Sequence, residues 1–232
     1  MSSKKLKLSV AATLSSLFFI VFAAKAQTGA QACGELANAY GPYDARRDLD
    51  KLPIVLGAHF TPDVESLRKG LSSYLGADIS YTLRAIPNYP RALLSMIRLG
   101  ERDKTDKPAH SLYTVECWLD RAIRFSPDDY VVRMIYAGFL GSKQRKPEAL
   151  QQLDLAKSYA GDNPFTYYNL GLVYTDLGEY ELALEQAYIA YDLGVQKNDL
   201  RDRLKAVGKW REPGSANTEV NKDHTEIPAS AK

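Results

Sequence analysis

The sequence predicts an all-α fold: a short α-solenoid of antiparallel helix pairs, preceded by an irregular N-terminal segment and followed by a disordered C-terminal tail. Three observations carry this expectation. First, residues 130–197 repeat at a spacing of 34. Tyr136 maps to Leu170, Ala137 to Gly171, Leu140 to Tyr174, Ala149 to Ala183, Leu150 to Leu184 and Ala156 to Ala190. Small residues in register at such a period mark stacked helix-turn-helix units. Second, turn and capping residues stand at the unit boundaries, Pro127-Asp128-Asp129 and Asp162-Asn163-Pro164. Third, apolar periodicity stops at Trp210, and residues 212–232 form a polar run without a face to bury.

At the start of the chain, Lys4, Lys5 and Lys7 precede an apolar core over residues 8–24 that closes on Ala24-Lys25-Ala26, an A-x-A pattern. This design predicts a signal peptide, residues 1–26, cleaved after Ala26. The alternative, an uncleaved anchor, is disfavoured because a membrane span needs roughly 20 apolar residues and Ser9, Thr13, Ser15 and Ser16 dilute this run. Cys33 follows Gly29-Ala30-Gln31-Ala32, which lacks the leucine of a lipidation signal. The expectation is an exported protein, periplasmic or secreted, with no stable membrane anchor once the leader is removed.

Lys4, Lys5, Lys7 and Lys25 would leave with that leader, so the 30 basic residues fall to 26 against 28 acidic ones, a formal charge of −2. A nucleic-acid partner, which calls for a strongly basic face, is not expected. Cys33 and Cys117 are the two cysteines. In an oxidising compartment an even pair invites a disulfide, which would staple the mature N-terminus to a mid-chain helix; two buried thiols are the alternative.

Residues 27–60 form an N-terminal extended or irregular segment. Gly41-Pro42 signals a turn, and residues 52–60 read as a short apolar extended run lying along the helices. A helical repeat domain is expected over 61–211. Thr61-Pro62-Asp63 is a helix start, giving helices near 62–70 and 77–86. A degenerate unit spans 89–127, with helices near 89–100 and 110–125. Its turn, 101–109, is a charged insertion expected to protrude. The best units are 130–163 and 164–197, and residues 198–210 suit a capping helix, with Leu200, Leu204 and Val207 on one face.

The unit 164–197 carries Tyr167, Leu170, Gly171, Tyr174, Gly178, Tyr180, Ala183 and Ala190. In this it resembles the tetratricopeptide repeat family, and the leader places the resemblance among exported bacterial members. Gly171, Ala183 and Ala190 would be small so that paired helices approach closely. The resemblance implies a concave groove lined by the first helix of each pair, where extended peptides bind. Its groove positions fall on Val131, Met134, Gly138, Gly141 and Ser142, then on Phe165, Tyr168, Leu172, Thr175 and Asp176. The lysine and asparagine that some members use to clamp a terminal carboxylate are absent, since Met134, Gly138, Tyr168 and Leu172 occupy those sites. The implied function is a protein–protein interaction scaffold or adaptor, holding an apolar or mixed protein or peptide segment in the cell envelope. A competing expectation is that residues 27–60 fill the groove.

Chemistry is sparsely signalled. No H-E-x-x-H, C-x-x-C, phosphate-binding glycine loop or G-x-S-x-G occurs, so neither a metal nor a cofactor is expected. His59, with Asp63 and Glu65 in the helix start after it, is the single cluster that suits a general base and its carboxylate, though acidic residues in a first turn also serve the helix dipole. Fifteen tyrosines suggest, as an alternative function, a carbohydrate-binding surface in which Tyr167 and Tyr168 stack on sugar rings. An enzyme is not the expected reading.

Overall fold

The computed structural model describes residues 33–71 and 74–213. The leader at 1–26 and nearly all of the tail at 212–232 lie outside the described residues. Ten helices and no strand occur among those described. They are α1 Leu52–His59, α2 Pro62–Glu65, α3 Leu75–Ala85, α4 Pro90–Asp103, α5 Val115–Phe125, α6 Tyr130–Ser142, α7 Lys146–Tyr159, α8 Pro164–Asp176, α9 Tyr180–Asp192 and α10 Asp199–Ala206.

The boundary residues act as the sequence suggests. Asp129 Oδ1 accepts from the amides of Val131 and Val132 at 3.1 and 3.2 Å, capping α6. Asn163 Oδ1 accepts from the Phe165 amide at 3.0 Å, with Pro164 opening α8. Thr114 Oγ1 caps α5 through the Cys117 amide at 3.2 Å. Each such cap contributes about 1 kcal/mol. The chain leaves α8 through Gly178 at φ +73°, and 34 residues earlier Gln144 takes φ +61° at the equivalent turn after α6. A β-carbon in this left-handed region is strained.

Residues 143–145 join α6 to α7 and residues 177–179 join α8 to α9; within each pair the helices pack against one another. Their seams are built from Ala137, Ala149, Ala156, Ala183, Ala187 and Ala190, all without exposed surface, around Leu153 and Leu170. A side chain at Gly171 would run into Leu200 of α10. Helices α4, α6, α8 and α10 touch in succession. Helix α6 is shared by two cores: Val132 and Phe139 join Ile79, Leu83, Met96, Trp118 and Leu119, while Met134, Ala137 and Leu140 join the pairs beyond.

Three local expectations are corrected. Residues 52–59 form helix α1, not an extended run. Leu52 and Val55, three apart, bury against Ala85 and Ile86, whereas Ile54 is 65% exposed. One buried stripe suits a helix, which satisfies its own backbone without a neighbouring strand. The helix expected at 62–70 stops at Glu65, and Leu67 turns the chain at φ +59°. The insertion at 101–109 is solvated as expected but is not a free loop. Helix α4 continues to Asp103, and the chain then folds back through Thr105 N–H to Gly100 O at 2.9 Å and Val115 N–H to Asp106 O at 2.8 Å, burying Pro108. The second helix of that unit accordingly starts at Val115, not at 110.

The segment at 33–51 is a strap across α3, α5 and the α5–α6 turn. Cys33 and Cys117 are bonded, with Cα atoms 5.1 Å apart, closing a sequence separation of 84. One turn along α5, the buried Arg121 guanidinium donates through Nη1 to the carbonyls of Cys33, Gly34 and Glu35 at 2.9, 3.3 and 2.7 Å. Burial lowers its pKa. Further along, Tyr43 N–H donates to Ala85 O at 2.8 Å. The Asp44 carboxylate then accepts from Arg46 at 3.0 Å and from Asn88 Nδ2 at 2.8 Å. Arg46 in turn reaches Asp128 at 3.0 Å, fastening the strap to the residues that introduce α6.

Candidate binding groove

Helices α4, α6 and α8 leave an open trench between them. Its apolar compartment, about 380 Å³, has Leu94 and Ile97 of α4 on one wall, Leu172 and Val173 of α8 on the other, and Val131, Met134, Ile135 and Gly138 of α6 as the floor. Leu94 is 43% exposed, an apolar wall turned to solvent. Gly138 is the distinctive floor residue. It lies inside α6 with ordinary helical backbone, is exposed, and a Cβ there would meet nothing within 4 Å. No packing among the described residues therefore demands a glycine, although glycine costs a helix interior about 1 kcal/mol relative to alanine.

A second compartment of about 490 Å³ continues the trench past the end of α4. Its lining adds Lys104, Thr105, Asp106 and Lys143 to Ile97, Glu101, Phe139 and Ser142, which it shares with the first. Lys143 Nζ and the Asp106 carboxylate are 2.8 Å apart and neutralise each other. The exposed Glu101 side chain has neither a hydrogen bond nor an ion pair among the described residues. Its basic neighbours are engaged elsewhere: Arg98 with Ser95 Oγ at 2.9 Å and Arg102 with the Leu67 carbonyl at 3.0 Å.

The groove positions taken from the resemblance divide sharply. On α6, Val131, Met134, Gly138 and Ser142 line the trench. Gly141 instead faces Leu177, which a side chain there would strike. Of the five positions expected on α8, Leu172 alone lines it. Tyr168 is 3% exposed, and its hydroxyl accepts from the Leu200 amide at 3.3 Å. Thr175 Oγ1 donates to the Gly171 carbonyl at 2.8 Å, and Asp176 pairs with Arg203 of α10 at 3.0 Å. Phe165 is 50% exposed beyond the trench, with Lys197 Nζ 5.5 Å from its ring centre. Helix α10 packs on α8 and accounts for two of these: it covers Tyr168 through Leu200 and engages Asp176 through Arg203, while Phe165 and Asp176 stay exposed outside the trench. Ile135, Asn169, Val173, Leu94 and Glu101 line the trench but were not anticipated as groove residues. The 34-residue shift relates Ile135 to Asn169 and Phe139 to Val173, so the repeat itself carried part of that signal. No described residue of the segment 33–60 lines either compartment.

The other sequence candidates sit elsewhere. His59 does not meet Asp63 or Glu65. Asp63 pairs with Arg68, and Glu65 with Arg91. The His59 Nδ1 lies 3.1 Å from the buried Asp78 carboxylate, and its ring stacks on Tyr81 at 3.8 Å, beside a hollow of about 150 Å³ lined by Tyr40, Ile54, Val55, Ala58, His59 and Tyr81. Tyr167, offered above for sugar stacking, donates its hydroxyl to the Gly161 carbonyl at 2.8 Å. No group of three or more potential metal ligands occurs among the described residues.

No protein-family model matches this chain, and no curated protein or solved structure matches it.

Proposed function

We propose that this protein is an exported interaction scaffold of the tetratricopeptide kind, and that it receives an extended segment of another envelope protein, bearing apolar side chains, in the trench between α4, α6 and α8. The repeat reading draws its support from buried small residues recurring at the 34-residue spacing and from first helices that touch in succession. The leader pattern supports export, and the Cys33–Cys117 bond agrees with an oxidising compartment. The observation that carries the groove reading is Gly138: an exposed glycine inside a helix, flanked by apolar walls, with open space where its side chain would be. Glycine at such a point lets another chain approach the backbone closely. Contact is the mechanism. Apolar surface leaves water on both partners, and a pre-formed trench spares much of the ordering cost of binding.

The test is site-specific photocrosslinking in the envelope of the source cell. A photoreactive residue replacing Ile135, in the floor, should give a discrete adduct. One replacing Leu155, exposed on α7, should not. Adding Gly138→Leu, which fills the open space, should erase the floor adduct. Equal labelling from both positions, or a floor adduct that survives Gly138→Leu, would overturn the reading.

A further inference from the structure

Resting on that groove reading, we propose that the received segment carries a basic side chain next to its apolar anchor, and that Glu101 selects it. Among the residues shared by the two compartments, Glu101 alone is charged, so it stands where the apolar floor gives way to the polar mouth. The nearby cations do not neutralise it: Arg98 and Arg102 are bonded away from it, and Lys143 is held by Asp106. Lys104 shares the outer compartment with Glu101, but no ion pair joins the two among the described residues.

Docking an apolar segment removes water from this carboxylate, and a carboxylate stripped of water without a partner is costly. A purely apolar segment therefore leaves it uncompensated, and an acidic one adds repulsion. A lysine or arginine one or two residues beyond the anchor supplies a charge-assisted hydrogen bond. The anchor itself belongs over Gly138, on the floor beside Ile135, where a side chain up to aromatic size finds walls in Leu94, Ile97 and Leu172. The proposed occupant is thus a short extended peptide of the pattern large apolar, then basic. It is not a carboxylate tail or a sugar.

The experiment is selection of phage-displayed random dodecapeptides on the purified full chain, on Glu101→Lys and on Gly138→Leu, with circular dichroism checking that all three retain the same helicity. Glu101 is exposed and without a side-chain partner among the described residues, so its reversal leaves the fold intact. The expected result is a peptide class that binds the unaltered chain, is lost on Gly138→Leu, and prefers lysine or arginine to glutamate beside its apolar residue by about tenfold. Glu101→Lys should invert that preference. A class lost on Gly138→Leu but with the same charge preference on Glu101→Lys overturns the role of Glu101 and leaves the groove standing. Peptides indifferent to Gly138→Leu, or no peptides at all, overturn the groove and this proposal with it.

Discussion

Replacing Gly138 with alanine adds one methyl group to the interior of α6, at a point where an ideal Cβ has no neighbour within 4 Å. The local backbone is already helical, so the methyl brings no strain. It narrows the conformations open to the unfolded chain and removes the helix-propensity penalty of glycine, about 1 kcal/mol. For a domain of this size that raises the melting temperature by about 2–4 °C. Urea unfolding followed by circular dichroism reads it directly: the midpoint moves up while the slope stays the same, because the surface exposed on unfolding hardly changes. The same variant should hold a groove-bound peptide more weakly, since the methyl occupies the space above the floor. Stability up and binding down is the combination that marks a glycine retained for an occupant. A lower urea midpoint would refute the reasoning, because it would mean that the methyl collides with something and that the trench is filled by the chain itself.

Three further outcomes are expected. Reducing the Cys33–Cys117 bond reopens a loop with a sequence separation of 84, which on loop-closure entropy lowers stability by about 4.5 kcal/mol; a melting curve indifferent to reductant would mean the bond contributes nothing. Burial by itself would raise the Asp44 pKa, but the bonds from Arg46 and Asn88 outweigh it and hold the carboxyl well below its usual range. Its stabilisation is therefore present above the unfolded value of about 4 and lost as pH falls toward the folded one, so the acid slope of stability should flatten in Asp44→Asn, as equilibrium unfolding from about pH 6 down to about pH 2 would reveal. Gln144→Gly should stabilise the chain by roughly 0.5–1 kcal/mol, measured by chemical unfolding, because Gln144 sits at φ +61° where its counterpart one period later is Gly178; destabilisation would show that the side chain matters more than the backbone.

The helix pairs were legible because their buried residues recur: an alanine at 149 and another at 183 announce the same close approach twice. The α6 floor was legible in part, since the resemblance placed Val131, Met134 and Gly138 there but not Ile135. The α8 wall was not. Periodicity tells which face Tyr168, Thr175 and Asp176 occupy, but not which later element comes to rest on that face. Only the packed position of α10 decides it, through contacts such as Leu200 to Tyr168 and Arg203 to Asp176. Glu101 escaped notice because the insertion after it breaks the register that would have aligned α4 with α6. Helix α1 was misread for a subtler reason. An unbroken apolar run has no period of its own, and burial of Leu52 and Val55 on one face, with Ile54 left in water, is a tertiary choice.

Helices α2 and α3 pack beside α4, and α10 packs beside α8, so the row of first helices stops after three. Neighbouring helix axes lie about 9 Å apart, and an extended chain advances about 3.3 Å per residue, so crossing from α4 to α8 takes only about six residues. On the proposed groove reading, so small a footprint would favour brief visits by any single segment. A lasting association must come from repetition, either several such motifs in one visitor or several copies of this protein arrayed along it.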